Sequence, residues 1–134
     1  TSFSSFIEEP TKKAQKAIRR KGNLQQMHPD DNKIRVSTLF AYDPKKQFEV
    51  FIIELAPGCE HLSPPHDKGV IEHIMTTQGT VEILENNTWH SVTKGDGFIF
   101  HADQPHGYRN KTSETVIIHN IIHYPTNKVI LKSK

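Results

Sequence analysis

Short runs of apolar residues, cut by turn residues at regular intervals, make up the chain from Lys33 onward. Asp43-Pro44-Lys45-Lys46 and Glu85-Asn86-Asn87 have typical turn compositions, and the runs between such turns are predicted to be strands. Strands at this spacing, with no convincing helix among them, are typical of a β-sandwich or a β-barrel. The predicted strands cover residues 33–42, 48–55, 70–76, 80–84, 88–92, 98–101, 104–108 and 115–124, with a last one at 128–131.

Alternation within these runs predicts which side chains face the core, because successive residues of a strand point to opposite sides. In the first strand, Ile34, Val36, Thr38 and Phe40 are expected to share one face. In strand 115–124, Asn120 has the opposite phase from His119 and His123, which we expect to be structural or interface residues.

An acid stands among the apolar residues of the predicted strand 70–76. Glu72 shares its face with Val70, Ile74 and Thr76, whereas His73 faces the other side and is predicted to be exposed or structural. A carboxylate on an inward face costs free energy unless it is paired or bound to a metal. Glu72 is therefore predicted to have a partner, unless it lies at a solvated mouth of the barrel.

Residues 1–32 have a different composition. Apolar residues near the start are followed by Pro10, and the rest is mostly polar. One stretch is strongly basic, which suits either a segment that faces nucleic acid or a solvated linker. Its cations are Lys12, Lys13, Lys16, Arg19, Arg20 and Lys21, with no acid between them. We read residues 1–32 as a linker and residues 33–134 as the folded domain.

Length and composition narrow the class of protein. A chain of 134 residues has the size of one domain and needs no disulfide to fold. Cys59 is the single cysteine, which excludes a disulfide within the chain and fits a reducing compartment such as the cytoplasm. No apolar run approaches the length of a membrane span, and the net charge of +2 is too small to imply a polyanionic partner.

Histidines supply the candidate chemistry, since eight of the nine lie between His61 and His123. His66 follows two prolines and His106 follows one, so the backbone before each is stiff. Two imidazoles and the carboxylate of Glu72 make the protein half of a tetrahedral zinc site or of an Fe(II) facial triad. Lys68, Arg109 or a ligand amine are alternative partners for Glu72.

Two stretches of this sequence resemble the motifs of the cupin superfamily. The first is GCEHLSPPHDKGVIEHIMTTQG, in which His66, Glu72 and Gly79 have the cupin spacing. The second is GDGFIFHADQPHGYRN, in which Gly95, His106 and Asn110 have it. The resemblance covers about residues 35–125. It implies an all-β, double-stranded β-helix (jelly-roll) barrel with a site inside its mouth, where His66, Glu72 and His106 would hold a divalent metal.

Three positions depart from the cupin motifs. Lys68 stands where the first motif has its second histidine, and His101 and Asp103 replace the proline and glycine of the second. A lysine repels a dication unless it is deprotonated or turned away, so the metal site is weakened but not excluded. Zinc is the expected metal, and oxygenase chemistry is disfavoured because it needs a firmly held redox metal.

The wording of the motifs is similar to that of one cupin subgroup, the C-terminal sensor domain of bacterial transcriptional regulators with a lambda-repressor-like helix-turn-helix. TSFSSFIEEP at the start of the chain resembles the end of such a DNA-binding domain. The resemblance implies a non-enzymatic, cytoplasmic homodimer that binds DNA through a domain absent from this chain. Its barrel would bind a small effector such as an amino acid or a related metabolite.

The effector pocket expected from this resemblance has charged, neutral and apolar parts. Lys68 and Arg109 would meet a carboxylate, and Tyr108 and Asn120 would offer neutral hydrogen bonds. The apolar walls would be Val70, Ile74, Phe98, Phe100 and Ile118. The alternative function is a small metal-dependent cupin enzyme, such as a dioxygenase, an isomerase or a lyase.

Overall fold

Two antiparallel sheets face each other and enclose the hydrophobic core. The computed structural model describes residues 17–29 and 32–125. Its strands are β1 (Gln26–Met27), β2 (Ile34–Phe40), β3 (Phe48–Leu55), β4 (Glu60–Ser63), β5 (Ile71–Gln78), β6 (Thr80–Glu85), β7 (Thr88–Thr93), β8 (Gly97–His101), β9 (His106–Arg109) and β10 (Val116–His123). A short 3₁₀ turn, Lys21–Asn23, precedes β1.

Strands that are distant in sequence are neighbours in both sheets. The larger sheet has the order β1-β2-β3-β10-β5-β8 and the smaller one the order β4-β9-β6-β7. All the pairs are antiparallel, and the chain crosses repeatedly from one sheet to the other. This arrangement confirms the predicted all-β, double-stranded β-helix (jelly-roll) barrel.

The inward faces follow the alternation that the sequence predicts. In β5, Glu72, Ile74 and Thr76 are buried, whereas His73 and Met75 are exposed. The apolar walls predicted at Val70, Ile74, Phe100 and Ile118 are all part of the buried core, and Phe98 packs against it. β10 alternates in the same way, with Asn120 fully buried.

The hairpin between β6 and β7 has the turn that its sequence predicts. Glu85 pairs with Thr88, so only Asn86 and Asn87 form the loop. Both have positive φ, at 56° and 61°. A two-residue loop with two left-handed residues matches the twist of the flanking strands, and asparagine tolerates that conformation well.

Three details differ from the expectations. Phe40 is exposed rather than inward, because the register of β2 against β3 shifts between Thr38 and Phe40 and breaks the alternation. β4 (Glu60–Ser63) was not predicted, since four residues are too few to show a period. The strand expected at 104–108 begins only at His106, after Pro105. The strand expected at 128–131 lies outside the described residues.

Part of the predicted linker packs on the barrel. β1 pairs with β2 along its edge, and Met27 packs against the core. The Arg19 guanidinium lies over the Phe40 ring, 5.1 Å from its centroid. In the part of the chain that the structure describes, no helix is long and apolar enough to cross a membrane.

Gly107 leaves room for the closest approach between β4 and β9. A Cβ on Gly107 would lie 2.7 Å from the backbone oxygen of His61 and 2.9 Å from a methyl carbon of Leu62. Backbone atoms in a paired strand cannot move away cheaply. We therefore expect Gly107→Ala to lower the free energy of unfolding by about 1–3 kcal/mol in a urea titration.

Gly97→Ala is the matched control, because it also lies in a strand and its Cβ would meet only ordinary contact at 3.6 Å. If the two variants lose the same stability, the close approach of β4 and β9 is not the cause.

Candidate metal centre and effector pocket

Three separate elements bring His66, Glu72 and His106 together at one end of the barrel. Glu72 lies on the inward face of β5, and His106 begins β9 in the opposite sheet. His66 follows β4, and its backbone N–H donates to the carbonyl of Ala102. The predicted trio therefore converges, although forty positions of sequence separate its first and last member.

One carboxylate oxygen is the meeting point of this group. Glu72 Oε2 lies 3.0 Å from His66 Nε2 and 3.3 Å from His106 Nε2. The three candidate ligand atoms all lie within 4.8 Å of one another. Ligand atoms about 2.0–2.2 Å from a tetrahedral zinc are separated by roughly 3.3–3.6 Å, so small movements of these side chains would admit the ion.

The His106 ring is oriented as a metal ligand would be. Its Nδ1 lies 2.9 Å from the carbonyl oxygen of Gln104, which can only accept, so Nδ1 carries the proton. In the neutral ring Nε2 then presents a lone pair to the carboxylate, and it is buried without a hydrogen-bond partner. Two electron-rich atoms facing each other need a cation between them, either a proton or a metal. The residues present therefore fit a divalent metal.

Tyr108 holds the carboxylate from the other side, and Asn120 in turn contacts Tyr108. The Tyr108 hydroxyl donates to Glu72 Oε1, which leaves Oε2 for the two histidines. Asn120 Nδ2 lies 3.5 Å from the Tyr108 oxygen. Tyr108, Glu72 and Asn120 are each at most 1% exposed. Such hydrogen bonds orient a metal-binding carboxylate and fix its charge distribution.

The charge state of Glu72 results from opposing effects. Burial is the largest single influence and would raise its pKa, but the hydrogen bonds and positive charge of His106 and His66 together outweigh it. The pKa is lowered from 4.5 to about 2. Glu72 therefore remains an anion at neutral pH inside the barrel, as a metal ligand must be.

The neighbouring groups respond to that anion. Burial lowers the pKa of His106, but the attraction of Glu72 and the contact with the Gln104 carbonyl raise it above 6.5 on balance. Burial and the negative charge of Glu72 both raise the pKa of Tyr108 well above 10. Tyr108 thus keeps its proton and stays a hydrogen-bond donor.

A hydrogen bond connects the loop that carries His66 to the loop that leads to His106. The Asp103 carboxylate accepts a hydrogen bond of 2.9 Å from the backbone N–H of Gly69. Gly69 has a φ of +90°, which favours glycine, and a Cβ there would lie 2.9 Å from Pro125. Asp103 stands where the cupin motif has glycine. Its side chain therefore has a structural role, because it fixes the His66 loop to the His106 loop.

The other predicted ligand-binding residues lie apart from this group. Lys68 is exposed in the turn before β5 and, among the described residues, makes no ion pair with Glu72. Arg109 lies on the opposite face of β9 from Tyr108. Its Nε donates to Glu82 at 2.6 Å, and its guanidinium lies 4.0 Å from the centroid of the Trp89 ring. The structure thus brings Tyr108 and Asn120 to the trio, but not Arg109.

Two further buried polar residues face the barrel interior. Glu49 is fully buried in β3 and accepts a hydrogen bond from the Tyr124 hydroxyl. Its alternation in phase with Phe51, Ile53 and Leu55 is the sequence signal that indicates this inward position. Thr38 was expected to face inward but had no assigned role. The Gln104 carbonyl had no sequence signal, because a backbone oxygen is contributed by any residue.

The remaining histidines of the large sheet lie on its outer face. His73, His101 and His123 are exposed, and His119 is half-buried. They alternate with Ile71, Ile117 and Ile121, so this outer face combines imidazoles with aliphatic side chains. The inward group and these outward histidines are separated by the sheet itself.

A jelly-roll barrel with a His-Glu-His group inside its mouth defines the cupin class. A family model described as a cupin domain matches residues 51–122. The chain belongs to the cupin domain family.

The relatives include transcriptional regulators. The HTH-type transcriptional regulator SutR of Escherichia coli (strain K12) is 36% identical over 123 residues, which are 92% of this chain and 64% of the relative. The chain thus spans less than two thirds of that curated relative. The resemblance to the cupin domains of helix-turn-helix regulators is confirmed.

Two solved structures support the same relationship. The cupin domain of an XRE family transcriptional regulator from Enterobacter cloacae is 39% identical, with a TM-score of 0.69, over 70% of this chain and 99% of that one. An HTH_3 family transcriptional regulator from Vibrio cholerae is 35% identical, with a TM-score of 0.70, over 75% of this chain and 56% of that one.

Substitution of the trio tests the metal centre. We expect His66→Ala, Glu72→Gln and His106→Ala to abolish zinc binding in calorimetric titrations, because each removes a ligand. Tyr108→Phe should weaken zinc about 10–100-fold, as the loss of an orienting hydrogen bond does. His73→Ala, on the outer face of the same strand, is the matched control. Equal zinc affinity in the Glu72 and His73 variants would rule this site out.

The pH dependence of stability should differ between the metal-free and zinc-loaded protein. Glu72, with its lowered pKa, contributes stability above pH 4.5 that is lost as pH falls towards 2. His106, with its raised pKa, contributes stability below pH 6.5 that is lost as pH rises through that raised value. Metal-free protein should therefore be most stable between these limits.

Zinc should reverse the trend on the alkaline side, because it binds the unprotonated imidazole. The rise in Tm caused by zinc should grow between about pH 5.5 and about pH 8 in melts with zinc and with chelator. A rise independent of pH would contradict coordination by His106.

Proposed function

We propose that this chain is the effector-sensing domain of a bacterial transcriptional regulator and binds a small molecule inside the barrel beside a divalent metal. The buried group of Glu72, His66 and His106 carries the proposal, together with the regulator relatives. Zinc is the proposed metal, since two imidazoles and one carboxylate leave a fourth position of its tetrahedral shell for an effector atom.

The site is suited to recognition. Glu72 is committed on both oxygens, to the histidines by one and to Tyr108 by the other. A carboxylate that is held in this way and has a pKa of about 2 is a poor general base near neutral pH. This argues for a binding domain over the alternative, a metal-dependent enzyme in which Glu72 would accept a proton.

The proposed domain division follows the relatives. Residues 33–134 form the cupin domain. Residues 1–32 form a linker, part of which packs on the barrel edge as β1, and the tail of a preceding DNA-binding domain. The relative from Escherichia coli is longer than the matched part, and its name includes a helix-turn-helix. DNA would be contacted only through that preceding domain.

A homodimer is the proposed assembly, because closed two-fold dimers are the commonest and suit a two-fold operator. The outer face of β10 is the proposed contact, with Ile117 and Ile121 half-buried on it. Binding of the effector would favour one arrangement of the two DNA-binding domains to the extent that it binds that arrangement more tightly.

A ligand panel with and without zinc tests the function. We expect a small amino acid or organic acid to raise the Tm of the zinc-loaded chain without being consumed, because it would complete the metal shell. Glu72→Gln should remove this shift and His73→Ala should retain it. Turnover of a panel compound, with stoichiometric bound iron and rapid oxygen uptake, would overturn the sensor assignment in favour of a cupin enzyme.

A further inference from the structure

Asn120 presents its carboxamide oxygen to the barrel interior. The single proton of the Tyr108 hydroxyl is donated to Glu72, so the Tyr108 oxygen can only accept from Asn120. The amide group that faces Tyr108 is therefore the NH₂, at 3.5 Å. Asn120 Oδ1 points elsewhere, is buried, and has no hydrogen-bond partner among the described residues.

Thr38 adds a second buried oxygen in the same row of the large sheet. Thr38 pairs with Phe51 of β3, and Phe51 pairs with Asn120 of β10. Two strand spacings make the Cα separation of Thr38 and Asn120 roughly 10 Å. Thr38 is 8% exposed, and its Oγ1 also has no hydrogen-bond partner among the described residues.

Unsatisfied buried acceptors are costly and rare in folded proteins, so two of them in one row need an explanation. The Asn120 oxygen can accept but not donate, so its partner must be an N–H or O–H group. A protonated nitrogen meets this condition, and its charge-assisted hydrogen bond to a buried oxygen is about twice as strong as that of a neutral donor.

The candidate metal centre lies close to Asn120. Asn120 pairs with Ile74, and Glu72 is the next inward residue of β5, so their Cα atoms are about 7–8 Å apart across the diagonal. A ligand that fills both places has a metal-binding group and a protonated nitrogen separated by a short chain.

We propose, building on the function above, that Asn120 and Thr38 form a subsite for the ammonium group of the effector. The effector is then a small zwitterion of the amino-acid type, with its anionic group on the metal and its ammonium on the Asn120 row. Asn120 Oδ1 is the principal acceptor, and Thr38 Oγ1 serves ligands whose nitrogen extends further.

The experiment measures the affinity of zinc-loaded protein for matched sets of compounds. Each of the twenty proteinogenic amino acids is compared with its N-acetyl derivative and with the acid that lacks the amino group. At least one amino acid should bind, and its two counterparts should bind about tenfold more weakly or worse, as expected for the loss of a charge-assisted hydrogen bond.

Variants of Asn120 and Thr38 test whether these two residues bind the ammonium group. Asn120→Leu should lower the affinity for the amino acid about tenfold relative to the affinity for the deaminated acid, a change of selectivity that a structural role would not produce. Thr38→Val should have the same signature for amino acids with a second nitrogen, and Thr38→Ser, which keeps the hydroxyl, is its control. Zinc affinity should stay at the wild-type value in both Thr38 variants, and every ligand affinity is measured with the variant saturated with zinc.

Two other outcomes overturn the subsite. If deaminated acids bind as tightly as amino acids, the effector needs no ammonium group, although the sensor function stands. If no amino acid binds while other small molecules raise the Tm of the zinc-loaded chain, the effector class is wrong. Failure of zinc binding itself would instead contradict the proposed function.

Discussion

Burial of the Glu72 carboxylate is the constraint on which the rest of the site depends. The carboxylate lies on an apolar strand and is fully buried, a position that costs several kcal/mol without compensation. The structure compensates it with two imidazoles on one oxygen and a hydroxyl on the other. Removing any of these partners leaves a charge without solvation, so the four residues act as one unit.

The jelly-roll connectivity makes this unit possible. β5 and β9 belong to different sheets, and only the face-to-face packing of those sheets sets His106 opposite Glu72. The bond from Gly69 to Asp103 then fixes the two loops relative to each other. The same contacts that close this end of the barrel therefore also set the separation of the candidate ligands, so folding and site assembly are one event.

Sequence reasoning recovered the fold and the trio, because both depend on period-two alternation and on motif spacing. It placed Glu72 inward and His73 outward correctly for the same reason. It was wrong on Phe40, since a register shift has no signature in alternation. The positions of Lys68 and Arg109 depend on side-chain direction and on partners such as Glu82, which only the three-dimensional structure supplies. The inward position of Glu49 was not predicted, although its alternation in phase with Phe51, Ile53 and Leu55 indicates it.

β10 has consequences beyond its place in the core. It hydrogen-bonds to β3 on one side and β5 on the other along nearly its whole length. Its odd and even residues serve two different environments: Asn120 lies beside Tyr108 inside, while His119 and Ile121 lie on the outer surface. A strand that is hydrogen-bonded along both edges moves as a rigid unit. A rotation of β10 about its own axis that is imposed at Asn120 from the inside therefore also moves the outer side chains of His119 and Ile121, in the opposite direction.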